Sequence, residues 1–417
     1  MPTQPRTAES AVPASSGRRR PGLRPVGQGA GFWFVAAAFA VLMAFGTAPT
    51  PLWPLYASRD GFGVTTISVV FAMLVGGAAV GFLALGHLSD RFGRRRVVVP
   101  ALAVALAAAL LLTWWKDLPG LMTGRFLNGV GIGLMASTAT AYLHDLYAGA
   151  HPHRPEAVLP EVVATAANLG GLALGPLVAG AVAQWVPDPL TVTQFGFALA
   201  LAVCLVLSLV TPETVDRSRT VRQKPERFAL CPGGRPVFAS AAGLGFCSFA
   251  LFGLVTALGA VILHTELRVS SEFVAGLAPF LMFSAAALAQ LALAALPPRR
   301  LLAVGMVAFP SGLALVALSV YGSTLWLFLT AATLAGAGSG ILFKAGLVQS
   351  VTAAAPASRA GVLAVYFVVA YAGLGLPSIL FSELIRHLSM PATMVCFSVV
   401  LSAGAVLAAA VAVRSER

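Results

Sequence analysis

Apolar residues run along this chain in unbroken blocks, and the polar residues gather into short islands between them. The block "TISVVFAMLVGGAAVGFLALG" leads into "GHLSDRFGRRR", which leads into "VVVPALAVALAAALLLTWW". About 18 or more apolar residues, wound at about 1.5 Å each, suffice to cross a hydrocarbon layer about 30 Å thick. Breaks at Gly, Pro and charge predict twelve spans, near 32–55, 66–86, 97–115, 120–143, 160–184, 190–211, 237–262, 273–296, 301–321, 324–348, 361–382 and 392–413. No interior segment alternates with the period of a β-barrel strand, and the blocks far exceed the roughly 9–11 residues such a strand needs. The expected fold class is an all-α integral membrane protein.

Composition agrees. Hydrophobic residues make up 58 % and charged residues only 10 %, against roughly 45–50 % apolar in a soluble domain. The net charge of +12 does not point to nucleic acid, because the bases sit between apolar blocks and not on a polar module. With the N-terminus inside, the inner segments carry 21 Lys and Arg and the outer loops only Arg59, Lys116, Arg268 and Arg386. That bias places both termini in the cytoplasm of a cell-membrane protein. "TAPTPLWPLYA" is a poor cleavage site, so the first block is expected to stay as a span. The four cysteines show no metal or redox spacing. Neither a cofactor nor a metal is expected, and no ATP-binding motif appears. Hydrolysis by this chain is therefore not the expected drive, and a monomer is the expected unit.

The polar stretch "ETVDRSRTVRQKPERF" divides the chain evenly. The expected organisation is a disordered tail (1–31), an N-terminal six-helix bundle (32–211), a cytoplasmic linker (212–236) and a C-terminal six-helix bundle (237–413). A shift of 207 residues lays "GVGIGL" (129–134) on "GAGSGI" (336–341). Two parallel six-span halves with a site near the midplane between them suit alternating access by rocking.

Three motifs then resemble a known family. "GHLSDRFGRRR" is similar to the loop 2–3 signature of the major facilitator superfamily, with Gly86, Leu88, Asp90, Arg91, Gly93, Arg94 and Arg95 in its fixed positions. "RFLNGVGIG" resembles the family's span 4 element through Arg125, Asn128, Gly129 and Gly131. "GLALGPLVAG" resembles the span 5 motif of the antiporter branch through Gly171, Gly175, Pro176 and Gly180, with Ala179 in place of one glycine. The resemblance implies two pseudo-symmetric six-helix bundles and no enzymatic activity. It assigns Asp90 to a latch between the halves on the cytoplasmic side, where protonation would weaken the latch. Arg91 and Arg94 accompany it, and Arg125 receives a proton-coupling or structural role.

The residues carry their own physical reading. Asp90 and Arg94 stand four apart and would pair on a helix. Arg within a span is costly and faces a cavity or a partner; no carboxylate lies inside spans 1 to 4, so Arg125 is expected to bond Asn168, backbone carbonyls or substrate. The small residues of span 5 allow close helix approach, and Pro176 removes a backbone hydrogen bond near Leu172. Lys344 either reaches the headgroups or faces the cavity. Glu161, Glu272 and Glu383 fall at span ends, where solvation is expected; His144 and Asp145 close span 4, where either joins the Asp90 network or caps and solvates the helix end. Asn128, Thr138, Asn168, Ser248, Thr333 and Lys344 are candidates for the substrate cavity. Such a lining suits a small amphipathic organic molecule. The resemblance of span 5 to the antiporter branch implies export of such a molecule by proton antiport, driven by the proton gradient, with proton-coupled uptake of a small metabolite or organic anion as the alternative.

Overall fold

A computed structural model of the chain describes residues 26–85, 92–153, 157–215 and 228–415. Among these, twelve helices are long and apolar enough to cross a membrane. In order, spans 1 to 6 are Gln28–Asp60, Val64–Leu83, Arg95–Trp114, Leu118–Ala150, Leu159–Trp185 and Pro189–Val210. Spans 7 to 12 are Gly234–Thr265, Glu272–Ala292, Pro298–Tyr321, Leu325–Ala353, Pro356–Leu384 and Met390–Arg414. The described residues form no strand; their one β contact is an isolated bridge between Leu230 and Ala354. The fold is all-α. An even number of crossings puts Gln28 and Arg414 on one face, the termini face, with the far face opposite.

Two spans outrun their expected ends. Span 4 continues from 143 to Ala150 and span 10 from 348 to Ala353. One polar turn, such as His144 and Asp145, does not stop a helix; Pro152 and Pro356, which cannot continue one, lie just beyond. Span 1 departs in another way. Its helix Gln28–Thr47 gives way to a 3₁₀ turn, Thr50–Leu52, and then a short helix, Trp53–Asp60. Pro49, Pro51 and Pro54 sit in this break, and each lacks the N–H that a helix would donate four residues back.

Spans 1 to 6 pack mainly on one another, as do spans 7 to 12; the principal crossings join span 5 to 8, span 2 to 11, and the far end of span 1 to 7 and 8. Lipid offers no hydrophobic force between helices, so close contact depends on small residues. Spans 4 and 10 begin at Leu118 and Leu325, the same offset that aligned their glycine motifs. The packing repeats as well. A Cβ on Gly129 would overlap the Leu74 carbonyl of span 2, and one on Gly336 the Met282 carbonyl of span 8. Gly131 and Gly338 meet spans 3 and 9 at Ala101 and Phe309, while Gly133 and Gly340 return to spans 2 and 8 at Ala78 and Ala286. Each half therefore solves one packing problem with the same three glycines.

Candidate functional site

The break in span 1 builds a polar pocket. Pro49 cannot donate to the Phe45 carbonyl, which accepts instead from Asn128 Nδ2 at 3.4 Å. The neighbouring Gly46 carbonyl accepts from Arg125 Nη2 at 2.8 Å. Arg125 lies about two turns inside span 4, is 1 % exposed, and holds its guanidinium carbon 5.9 Å from the centroid of the Trp53 ring. Of the partners considered for it, backbone carbonyl is the one found. Gln194 of span 6 donates to the Tyr56 hydroxyl at 3.3 Å. Arg125 Nε and Nη1, Trp53 Nε1, Asn128 Oδ1 and Gln194 Oε1 are buried with no hydrogen-bond partner among the described residues. The pocket thus holds a cation and several unfilled hydrogen-bonding positions.

A second cluster lies on the termini face, where the loop 2–3 motif meets the segment after span 6. Gly86, Asp90 and Arg91 lie outside the described residues. Gly93 has φ +112°, a conformation that favours glycine, and its open side is filled by the Glu213 carboxylate. Arg94 N–H donates to Glu213 Oε1 at 2.8 Å. The side chain of Arg94 contacts Asp145 near the end of span 4, Nε to Oδ2 at 3.2 Å, and Thr214 Oγ1 donates to the same Oδ2 at 3.1 Å. Arg95 Nη1 and the Tyr142 hydroxyl donate to the carbonyls of Thr211 and Pro212 at 3.1 and 2.6 Å. Loop 2–3, span 4 and residues 211–215 are thereby tied together.

Span 5 carries its small residues toward two partners. Cβ atoms on Gly171 and Gly175 would overlap the Ala40 and Ala44 carbonyls of span 1, whereas Gly180 and the Pro176 carbonyl meet Glu272 and Gly276 of span 8. The Leu172 carbonyl, four residues before Pro176, accepts from Thr47 Oγ1 at 2.9 Å. At the far end, Ser271 donates to Gln184 at 2.9 Å, and Trp185 packs on Phe273.

The candidate cavity residues divide. Asn128 and Thr138 are buried, and Ser248 is buried with its hydroxyl on the Leu244 carbonyl of its own helix at 2.7 Å. Thr333 is half-buried and likewise bonds its own helix, at Leu329; Asn168 is half-buried. Lys344 bridges the halves: Nζ contacts Glu161 Oε1 of span 5 at 3.5 Å and the Gln290 carbonyl of span 8 at 3.3 Å. Two of the span-end acids expected to be solvated, Glu161 and Glu383, keep solvent-accessible side chains and also meet a base. Glu161 meets Lys344, Glu383 meets Arg386 at 3.3 Å, and Glu272 stands 3.7 Å from His264.

Reading the sequence alone missed Trp53, Tyr56, Gln194, Glu213 and Gln290. Two signals were available. Three prolines within one apolar block announce a broken span and free carbonyls. An acid directly after an apolar block, facing a basic loop, announces a tether such as Glu213. Among the described residues no cluster of His, Cys, Asp or Glu could hold a metal.

Comparison with known proteins completes the description. The chain is 29 % identical over 240 residues to the chloramphenicol resistance protein CraA of Acinetobacter baumannii, covering 55 % of this chain and 54 % of the relative. It is 28 % identical over 234 residues to the multidrug transporter MdfA of Escherichia coli O157:H7, covering 55 % and 54 %. A probable drug/proton antiporter, YHK8 of Saccharomyces cerevisiae, matches at 28 % over 165 residues, 38 % of this chain and 29 % of that one. These matches span about half, or less, of each relative's length. Among solved structures, a POT family transporter in complex with 5-aminolevulinic acid superposes with a TM-score of 0.72 over 94 % of this chain and 97 % of that one, at 12 % identity. The nucleoside transporter NupG does so at 0.68 over 93 % and 100 %, also at 12 % identity. The family profile of the Major Facilitator Superfamily matches residues 34–296. With twelve spans, this shared fold and that match, the chain is a membrane transporter of the Major Facilitator Superfamily and not an enzyme.

Proposed function

We propose that this transporter exports small organic molecules from the cytoplasm in exchange for protons, by alternating access. The termini face is then the cytoplasmic one, as the 21 inner against four outer Lys and Arg imply. Residues 32–211 and 237–413 act as two bodies that rock about the contacts of spans 5 with 8 and 2 with 11. The observation that carries this reading is the kind of contact made across that seam. At its far half, backbone meets backbone at Pro176, Gly180 and Gly276, a close contact flanked at the far end by the Ser271–Gln184 hydrogen bond and the packing of Trp185 on Phe273. At the termini face the halves meet through the Lys344–Glu161 pair and through Phe82 against Phe367, contacts that can part. The names of the relatives, a chloramphenicol resistance protein, a multidrug transporter and a probable drug/proton antiporter, support the substrate class and the exchange.

Within this scheme Asp90, Arg91 and Arg94 govern the cytoplasmic mouth, with Asp145 and Glu213 as partners of the loop. Arg125 and its pocket answer to the proton. Everted membrane vesicles with an imposed pH gradient and a pH-sensitive dye test the reading. Compounds that are carried should dissipate the gradient in vesicles bearing the protein, and the Asp90→Asn variant should slow that exchange more than it lowers membrane abundance. No response across a broad panel overturns the antiport; a fall in abundance alone makes Asp90 structural.

A further inference from the structure

The contacts of Lys344 say more about the cargo than the fold does. Its side chain is 16 % exposed within a span, yet its ionic partner, Glu161, is 67 % exposed and belongs to the other half. A pair of this kind, at 3.5 Å and with one member mostly in water, is weak. A second carboxylate can therefore compete for the amine. The other contact of the amine is the Gln290 backbone carbonyl, and the side-chain Nε2 of that same glutamine is buried without a hydrogen-bond acceptor; Gln290 is 8 % exposed. A buried amide donor left unsatisfied is unfavourable. The amine thus touches the backbone of the residue that carries the unsatisfied donor, and both groups call for an acceptor.

The surroundings narrow the class. Among the described residues, the carboxylates within spans, Asp60, Asp145, Glu161, Glu272 and Glu383, all lie within two turns of a span end. The middle of the bundle offers no negative charge to a cationic cargo. Phe343, one residue before Lys344 and about 100° around the helix, opens an aromatic wall. Its ring lies 4.9 Å from Phe249, which lies 5.4 Å from Tyr371. Phe82, reaching over from span 2, lies 5.2 Å from Tyr371. Such rings accept a flat apolar body by stacking or edge contact.

We infer that spans 5, 7, 8, 10 and 11 form, at the termini-face mouth, a recognition site for an amphipathic organic anion. Lys344 and Gln290 take its carboxylate, and the wall of Phe343, Phe249 and Tyr371 takes its apolar or aromatic body. Binding displaces Glu161 from Lys344, so the cargo itself undoes an ionic link between the halves. The site rests on the transport reading above and gives that reading a substrate class.

The test measures binding, so that it stands apart from proton exchange. Full-length protein in nanodiscs is titrated by scintillation proximity with radiolabelled salicylate, with salicylamide, which keeps the ring and loses the charge, and with the lipophilic cation tetraphenylphosphonium. Salicylate should bind about tenfold to a hundredfold tighter than salicylamide, the range expected of a hydrogen bond to a charged group. Lys344→Gln should erase that preference, and Lys344→Arg should restore most of it. Glu161→Gln, which frees the amine, should tighten salicylate binding. An unchanged preference in Lys344→Gln, tighter binding of tetraphenylphosphonium than of salicylate, or no binding of any probe overturns the site. Size-exclusion profiles establish that each variant is folded, and the Glu161→Gln outcome decides the matter if Lys344→Gln is not. Proton exchange without a preference for salicylate sinks the site and leaves the antiport standing; the preference without proton exchange does the reverse.

Discussion

Replacing Arg125 by Met separates what the residue does for the fold from what it does for transport. The change removes the hydrogen bond to the Gly46 carbonyl, worth about 1.5–3 kcal/mol for a charged donor. It also removes the contact with the Trp53 ring, worth about 0.5–2 kcal/mol. Against these losses, holding Arg within a span costs about 2.5–3.5 kcal/mol on insertion scales, and Met, of similar length, avoids that cost. The terms oppose one another, and the net falls within about 2.5 kcal/mol of zero. Arg125→Met should therefore melt close to the parent protein in a fluorescence-detected size-exclusion assay. In everted vesicles it should no longer exchange protons for any compound that the parent carries. Arg125→Lys keeps the charge but cannot reach both the carbonyl and the ring face in the same way, and should retain partial exchange. A Met variant that unfolds while its surviving fraction exchanges normally would refute the reasoning and reduce Arg125 to a packing element.

Two further outcomes follow from the packing and from the termini-face cluster. Gly76→Ala, with nothing within 4 Å of the added carbon, should stabilise span 2 by about 0.5–1 kcal/mol, as helix propensity dictates. Gly129→Ala and Gly336→Ala, each forced against a backbone carbonyl, should instead lose a net of roughly 1–2 kcal/mol; melting temperatures no lower than that of Gly76→Ala would contradict the paired contacts. Asp145→Asn removes the charge facing Arg94 at 3.2 Å and should change the initial rate of exchange about fivefold, the equivalent of about 1 kcal/mol, at unchanged abundance. The same substitution in an Arg94→Gln background should then have little added effect, and full additivity would argue that the two residues act separately.

Much of the architecture could be read directly from the chain because a membrane allows few solutions. Apolar length sets the spans, and the glycine repeat at 129–134 and 336–341 reports a packing that both halves share. The contacts of single polar side chains were far less legible. Arg94 could be placed beside Asp90 by spacing along one helix, but its contact with Asp145 lies across two helices, and only their packing brings them together. By the sequence alone Lys344 stands between headgroup anchor and cavity residue, because its partners, Glu161 and Gln290, come from spans 5 and 8. Span 4 ran past its expected end because hydropathy marks where lipid stops, whereas helices end where backbone hydrogen bonding fails. The pocket around Arg125 depended on a break in span 1 whose prolines were visible but whose freed carbonyls had no stated destination.

The two-sided contact of span 5 has one more consequence. Gly171 and Gly175 lean on the first helix of the chain, and Gly180 leans on span 8, all on one rod with Thr47 pinned to it at Leu172. A stiff lever cannot swing at one bearing while the other stays still. Any tilt between the halves is therefore felt by the stretch of span 1 whose Gly46 carbonyl holds the buried guanidinium. The helix works as a crank between seam and pocket, and its geometry leaves little slack in which the two could move independently.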